Sequence, residues 1–211
     1  MPKPEGCSQR VRESGYSVAA EAFRSNAAGR CGRRVRMAKA GKRWWLFKSE
    51  PDEFSFEDLL AAPKRRTFWN GVRNYQARNM LRDEVQVGDL VLYYHSNAEP
   101  SGVAGIAEVV AAGSPDPTQF EPGDYHEPRA TREAPVWFGV ELAAVKALAR
   151  LVPLEELKAE PALAKMGVVQ RGSRLSIQPV TREEFELVVA LAARKASGAA
   201  SEGRSGARKR S

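Results

Sequence analysis

The chain has 211 residues, of which 43% are hydrophobic, so it is long enough for one domain with a sizeable core. Its net charge of +7 comes from the ends: residues 1–42 hold 10 Lys or Arg and 3 Asp or Glu, residues 196–211 hold 4 and 1, and residues 43–195 hold 19 and 22. This acidic middle argues against duplex binding by bulk attraction alone, and two cysteines and two histidines argue against a disulfide framework or a metal site.

The two ends lack sustained hydrophobic periodicity. We expect residues 1–42 to be a basic, disordered extension, residues 43–195 to be the domain, and residues 196–211 to be a disordered basic tail. Met37, followed by Ala-Lys-Ala-Gly-Lys-Arg, is an alternative start, and a weakly amphipathic transit peptide is another interpretation of the extension. No apolar run approaches the ~20 residues of a membrane span. We expect no membrane association and a cytoplasmic bacterial protein with access to the nucleoid.

The first half of the domain predicts short strands separated by short helices. Aromatic residues 44–48 predict a strand that stops at Pro51. Ser55 and Asp58 have the spacing of a capping box, which predicts a helix to about Ala61. Residues 67–69 read as extended, and residues 74–82 read as a helix after the break at Gly71.

The second half of the domain predicts more strands than helices. The strands are expected over residues 90–95, 103–111, 136–148 and 175–179. Residues 114–135 contain five prolines and predict a loop. Short helices are expected over residues 153–157 and 161–166, and a final helix begins after the capping box that starts at Thr181. Together these elements predict an α+β fold with a small, mixed, strongly curved sheet or barrel of about five or six strands.

The segment from Trp69 to Asn79 is the most informative part of the chain. It places two aromatic rings, two guanidinium groups and four side-chain amides around one glycine. Aromatic faces stack on flat ligands, amides read hydrogen-bonding edges, and Arg pairs with phosphate. The segment therefore predicts a pocket for a flat, polar, partly anionic ligand.

Several sequence blocks, taken in order, resemble the EVE domain family. They are Leu46-Phe47-Lys48-Ser49-Glu50-Pro51, Trp69 to Asn79, Gly88 to Asn97, Gly105 to Val110, Pro115-Asp116-Pro117-Thr118 and Arg171 to Val180. The resemblance spans about residues 44–192. Asn70 stands where many relatives have Asp, so a role that needs a carboxylate there does not transfer.

The resemblance implies a PUA-like barrel, related to the YTH and ASCH domains, with inserted and flanking helices. It also implies a pocket that reads modified bases, with modified cytosines such as 5-methylcytosine in DNA as the leading ligands. Relatives of this kind are associated with nucleases and with defence or repair proteins. DNA or RNA and a partner protein of that kind are therefore the expected partners, and no cofactor is expected.

Within the pocket, Trp69 is expected to be the stacking platform, and Gly71 lets the backbone approach the ligand closely. Asn74 and Arg78 share one helix face, and Tyr75 and Asn79 share the next. The alternatives are a core Trp69 and a solvated Arg78. Asn70 and Val72 in the same segment are further candidates, as are Lys48 and Ser49 at the end of the first strand and His95 and Ser96 at the end of the third. Trp137 is a candidate for a second aromatic wall. A basic loop with Arg171, Ser173 and Arg174 is expected to meet phosphate.

The function expected from these residues is a non-catalytic nucleic-acid-binding reader of a modified base. An RNA-modification reader is the alternative within that class. A hydrolase or other base-processing enzyme could use His95, Asp89 and Glu50 as acid–base groups, but the sequence shows no activated nucleophile beside them. A small-molecule sensor could use the same pocket.

Overall fold

The computed structural model describes residues 41–194. The predicted extension, apart from residues 41–42, and the predicted tail lie outside the described residues. The domain boundaries at 43 and 195 therefore remain predictions.

Six strands form one mixed sheet in the order β2-β5-β4-β3-β1-β6. Strands β1 and β3 run parallel, and the other neighbours run antiparallel. The strands are β1 Trp44–Ser49, β2 Arg66–Trp69, β3 Leu90–His95, β4 Gly102–Pro115, β5 Phe138–Pro153 and β6 Ile177–Val180. The predicted α+β class and strand number are confirmed.

Within residues 41–194, five α-helices lie between and after the strands: α1 Pro51–Phe54, α2 Phe56–Ala61, α3 Tyr75–Asn79, α4 Leu154–Ala159 and α5 Arg182–Ala193. Both predicted capping boxes are present, at Ser55 before α2 and at Thr181 before α5. Helix α3 is shorter than predicted, because a π-helical turn over Met80–Glu84 continues it. The helix predicted over 161–166 is only a 3₁₀ turn over Pro161–Leu163.

Alternation along the strands sends side chains into two hydrophobic clusters. In β1, Trp45 and Phe47 belong to one cluster and Leu46 belongs to the other. In β3, Tyr93 joins the first cluster and Leu92 the second. Helix α5 covers the second cluster with residues such as Phe185 and Val188, as expected for an amphipathic helix on a sheet.

The sheet curls around the first cluster. Edge strand β2 is four places from β1 in the strand order, yet the Trp69 ring lies 5.3 Å from the Phe47 ring. The Trp69 ring also lies 5.5 Å from the Tyr93 ring in β3. Contact between such distant strands requires a strongly curved, barrel-like sheet, as predicted.

Candidate nucleic-acid interface

A cavity of about 480 Å³ opens where β1 and β2 end, and we call it the first cavity. Its volume falls in the roughly 300–1,000 Å³ range of small-molecule sites. Residues 67–73 form one wall, and residues 48–50, with Glu53 and Phe54 of α1, form another. Tyr125 and Ser176 complete the lining. Of the predicted site residues, the first cavity therefore brings together Lys48, Ser49, Trp69, Asn70, Gly71 and Val72.

Gly71 shapes the turn that leaves β2. Its φ is +74°, and a Cβ atom there would lie 3.2 Å from the Tyr125 ring. Its backbone N–H donates to the Asp116 carboxylate at 3.0 Å. A side chain at this position would strain the backbone and crowd the ring that closes the cavity.

Asp116 and Arg73 form a buried ion pair behind that turn. Arg73 Nη1 donates to Asp116 Oδ2 at 2.8 Å, and Nη2 donates to Thr118 Oγ1 at 2.9 Å. The Asp116 side chain has no exposed surface. Burial alone would raise the pKa of Asp116, but hydrogen bonds from Arg73, Thr118 and Gly71 outweigh it and hold that pKa below its usual range.

Sequence reasoning missed Asp116 as a site residue and gave Arg73 no role of its own. Asp116 follows β4 in Pro-Asp-Pro, where the prolines indicated only the end of a strand. The Asp116 carboxylate accepts from the Thr118 N–H at 2.9 Å, which is an Asx-type turn. The spacing of Asp116 and Thr118 was therefore the signal in the sequence that could have indicated this turn. No local signal pointed to the pairing with Gly71.

Trp69 is not the open stacking platform that its polar neighbours predict. Only 8% of it is exposed, because its ring packs against Phe47 and Tyr93. It contributes a narrow part of the cavity wall and belongs mainly to the core. Tyr125 is the exposed aromatic residue of the lining, at 45%, and the sequence interpretation did not include it.

Asn74 is a helix cap and not an edge-reading residue. Its Oδ1 accepts from the backbone N–H groups of Gln76 and Ala77 at 2.9 and 3.1 Å. An N-cap Asn satisfies helix N–H groups that otherwise lack partners. The shared face predicted for Asn74 and Arg78 is corrected, since Asn74 precedes α3 and lies outside the lining of the first cavity.

Tyr75, Arg78, Asn79 and Trp137 form a separate aromatic cluster, outside the lining of the first cavity. The Tyr75 ring lies 4.9 Å from the Trp137 ring, and the Arg78 guanidinium lies 4.9 Å from the Tyr75 ring. Arg78 also donates to the Val136 carbonyl at 3.1 Å and to the Asn79 side chain at 3.0 Å. The four residues were predicted to line the ligand pocket, but they pack against one another outside the first cavity. Arg78 is also not the solvated side chain that the alternative interpretation expected.

The indole N–H of Trp137 is held by a carboxylate in the loop before β5. Its Nε1 donates to Glu127 Oε2 at 3.3 Å. Hydrogen bonds from Arg129 are the main reason why the pKa of Glu127 is lowered to about 2. The Trp137 ring is buried, so it acts as a packing residue that supports the loop before β5.

Each of the three acid–base candidates, His95, Asp89 and Glu50, accepts a hydrogen bond from within the fold. His95 Nε2 accepts from the Phe56 N–H at 3.0 Å, at the start of α2, and burial lowers the pKa of His95. The buried Asp89 accepts from Trp45 Nε1 at 2.9 Å, and Glu50 accepts from the Asn97 side chain at 2.7 Å. His95 Nε2 therefore supports the start of α2, and His95 is not in the lining of the first cavity.

A second cavity of about 620 Å³ adjoins the first, and Lys48 lines both. Lys48 Nζ donates to the Ser173 carbonyl at 3.0 Å, and burial lowers the pKa of Lys48. Ser96 is held by the Ser49 carbonyl at 3.2 Å. The second cavity gathers the remaining predicted residues: Ser96, Arg171, Ser173 and Arg174.

Over residues 41–194, no cluster of three or more His, Cys, Asp or Glu side chains is arranged to hold a metal ion. Within the same part of the chain, no helix has the length and apolar character to cross a membrane.

The EVE domain family model matches residues 43–191. The chain belongs to the EVE domain family. Human thymocyte nuclear protein 1 is 42% identical to this EVE protein over 164 residues, which cover 70% of this chain and 72% of the human protein. An uncharacterized protein of Schizosaccharomyces pombe is 35% identical over 161 residues, covering 70% and 67%.

Two solved structures show the same fold as this EVE domain. A crystal structure of a Pseudomonas putida protein is 45% identical, with a TM-score of 0.67, and the match covers 71% of this chain and 99% of that one. The crystal structure of human THYN1 protein in complex with 5-methylcytosine-containing DNA is 39% identical, with a TM-score of 0.68, covering 73% and 99%. The predicted PUA-like fold and family are confirmed.

Proposed function

We propose that this EVE domain is a non-catalytic reader that binds nucleic acid and holds a modified base, most favourably a modified cytosine in DNA, in the first cavity. The observation that carries the proposal is the cavity itself. It is of ligand size, is bounded by the turn at Gly71, and combines an exposed aromatic ring with polar edges. The similarity to human THYN1 protein, solved with 5-methylcytosine-containing DNA, supports the choice of base and of DNA.

The lining offers complementary parts for a pyrimidine. Tyr125 supplies an exposed ring for stacking, which contributes roughly 1–3 kcal/mol per base. Phe54, Phe68 and the edge of Trp69 offer apolar surface. The Asn70 amide can donate and accept, and the Glu53 carboxylate can accept from an exocyclic amine, so the lining offers a carboxylate although position 70 is Asn.

The methyl group alone cannot account for recognition. Burying one methyl-sized group contributes about 0.8 kcal/mol, less than a tenfold change in affinity. A base taken from a duplex also costs a few kcal/mol to unstack and unpair. Stacking and edge hydrogen bonds must therefore offset extrusion, and the shape of the cavity must add to the contribution of the methyl group.

The geometry favours binding over catalysis. The ring nitrogen of His95 and the carboxylate of Asp89 are held by backbone and indole N–H groups inside the fold. A general base must reach the proton that it removes, and these two groups face structural partners instead. Glu50, the third candidate, lines the first cavity, where its carboxylate accepts from the Asn97 side chain. A nuclease, defence or repair partner remains a prediction from the family resemblance, and the cytoplasmic location remains a prediction from the sequence.

The test is a binding panel on the full chain. Matched oligonucleotides with cytosine or 5-methylcytosine, as DNA and as RNA, and the free nucleosides are titrated, and each is then checked for chemical change. We expect the tightest binding to 5-methylcytosine DNA and no turnover. Preference for modified RNA would favour the RNA-reader alternative, whereas turnover or the absence of any base preference would contradict the proposal.

A further inference from the structure

The two neighbouring cavities differ in charge. The second cavity is lined by four cationic side chains, those of Lys48, Lys158, Arg171 and Arg174, and none of its lining residues is Asp or Glu. The first cavity is lined by two acidic residues, Glu50 and Glu53, and by two basic ones, Lys48 and Arg73. Residues 43–195 hold more acidic than basic residues, so this grouping of cations in one concave site is a local feature.

The cations of the second cavity are available to a ligand. Arg171 and Arg174 are exposed, and within residues 41–194 neither takes part in an ion pair. Lys158 pairs only with the exposed Glu155 at 3.0 Å, an interaction worth little in water. Lys48 donates one N–H to the Ser173 carbonyl. Because an ammonium group has three donors, two remain for a ligand.

The loop that carries Arg171 and Arg174 is held in place by a buried side chain of β6. Buried Gln178 donates through Nε2 to Ser173 Oγ at 2.9 Å and to the Leu175 carbonyl at 2.8 Å. Gly172 turns the loop with φ of +78°, and no heavy atom lies within 4 Å of the position where a Cβ would stand. Arg171 and Arg174 therefore project from an anchored turn with open space beside the backbone.

We propose that the second cavity binds the phosphodiester backbone of the same strand whose modified base enters the first cavity. This inference rests on the proposed function. Guanidinium and ammonium groups are the side chains that pair with phosphate oxygens. Lys48 lines both cavities and so marks the junction between base and backbone, which fixes the direction in which the strand leaves the base. Arg78, whose guanidinium is bound to Val136 and Asn79, has no part in this path.

The first experiment compares salt dependence. The variant Arg171→Gln/Arg174→Gln removes two charges from the second cavity, and Lys146→Gln/Arg182→Gln removes two charges from outside both cavities. Each lost phosphate contact lowers the slope of log affinity against log salt by about 0.7–0.9. We expect the first variant to lose about 1.5 from the slope and to weaken binding of modified and unmodified strands by the same factor. The control variant should keep the wild-type slope within about 0.3.

The second experiment locates the contact on the strand. Oligonucleotides carry a single neutral methylphosphonate linkage at successive positions on either side of the 5-methylcytosine. We expect at least one position within a few nucleotides to weaken binding of the wild type severalfold and to have little effect on Arg171→Gln/Arg174→Gln. Circular dichroism checks that all variants remain folded.

The outcomes separate this inference from the proposed function. If the wild type prefers the modified base, but every neutral linkage affects wild type and variant equally, the phosphate site is wrong and the reader function stands. Equal salt slopes for the cavity variant and its control would also overturn the inference. If the wild type shows no base preference, the proposed function itself fails.

Discussion

At the scale of single residues, Asp116 joins parts of the chain that are far apart in sequence. Its carboxylate accepts from the Gly71 N–H, from Arg73 and from Thr118, so one buried side chain fixes both the turn after β2 and the segment after β4. The shape of the first cavity depends on this carboxylate, although Asp116 itself is not in the lining.

Replacing Asp116 with Asn should destabilise the fold and weaken base preference. Breaking a buried ion pair costs about 3–5 kcal/mol, and we expect roughly 3 kcal/mol because Arg73 is partly exposed. Since the folded-state pKa of Asp116 is lowered, its contribution is complete above the unfolded pKa of about 4 and is lost as pH falls through the folded value.

Urea unfolding at pH 7 and at successive values below pH 4 measures this effect. The difference in free energy of unfolding between wild type and Asp116→Asn should narrow as the pH falls. A constant difference over that range would show that the charge of Asp116 does not stabilise the turn.

Residue types indicated part of the lining of the first cavity, and long-range pairing explains the rest. Gly71, Asn70 and Lys48 line the first cavity as predicted, because a glycine break and the end of a strand are local signals. Asn74 was misassigned because an Asn that begins a helix can cap it or read a ligand, and composition cannot separate the two. Tyr125 lies in a proline-rich loop, and its position against Gly71 follows only from the folded chain.

At the scale of elements, the edge strand β2 closes the curved sheet through Trp69. The contacts of its ring with Phe47 and Tyr93 join strands that are not neighbours in the sheet. Trp69→Ala should therefore lower the free energy of unfolding by about 3–5 kcal/mol, the cost of truncating a buried aromatic residue. Denaturant unfolding measures the change.

Two further variants test this structural role of Trp69 by their effect on stability. Trp69→Phe retains much of the buried ring and should lose clearly less stability than Trp69→Ala, while Tyr125→Ala, in an exposed loop position, should lose the least. A loss below about 1 kcal/mol for Trp69→Ala would contradict the core role of Trp69.

Elements with strong local signals were predictable. The capping boxes at Ser55 and Thr181 marked the starts of α2 and α5 correctly, and alternation marked β5 as a strand although its periodicity was ambiguous. The π-helical turn after α3 was missed, because the same residues also fit an α-helix and the widened turn lets Val85 N–H bond to the Met80 carbonyl. Helix α1 was missed because Pro51 reads as a strand stop, although Pro also suits the first position of a helix.

At the scale of the whole molecule, charge is divided between regions with different expected roles. Residues 41–194 contain both cavities, and the segments on either side hold the excess of Lys and Arg. Attraction by exposed charges is unspecific and falls steeply with salt, whereas a base in a cavity is read by shape and hydrogen bonds. Removing the flanking segments should therefore change affinity more than base preference.

The most direct measurement is the ratio of the dissociation constants for unmodified and 5-methylcytosine DNA, determined for the full chain and for residues 41–194 at two salt concentrations. We predict that removing the flanking segments weakens both affinities and reduces their salt dependence but leaves the ratio unchanged. A ratio that falls to one for residues 41–194 would contradict base recognition by the first cavity.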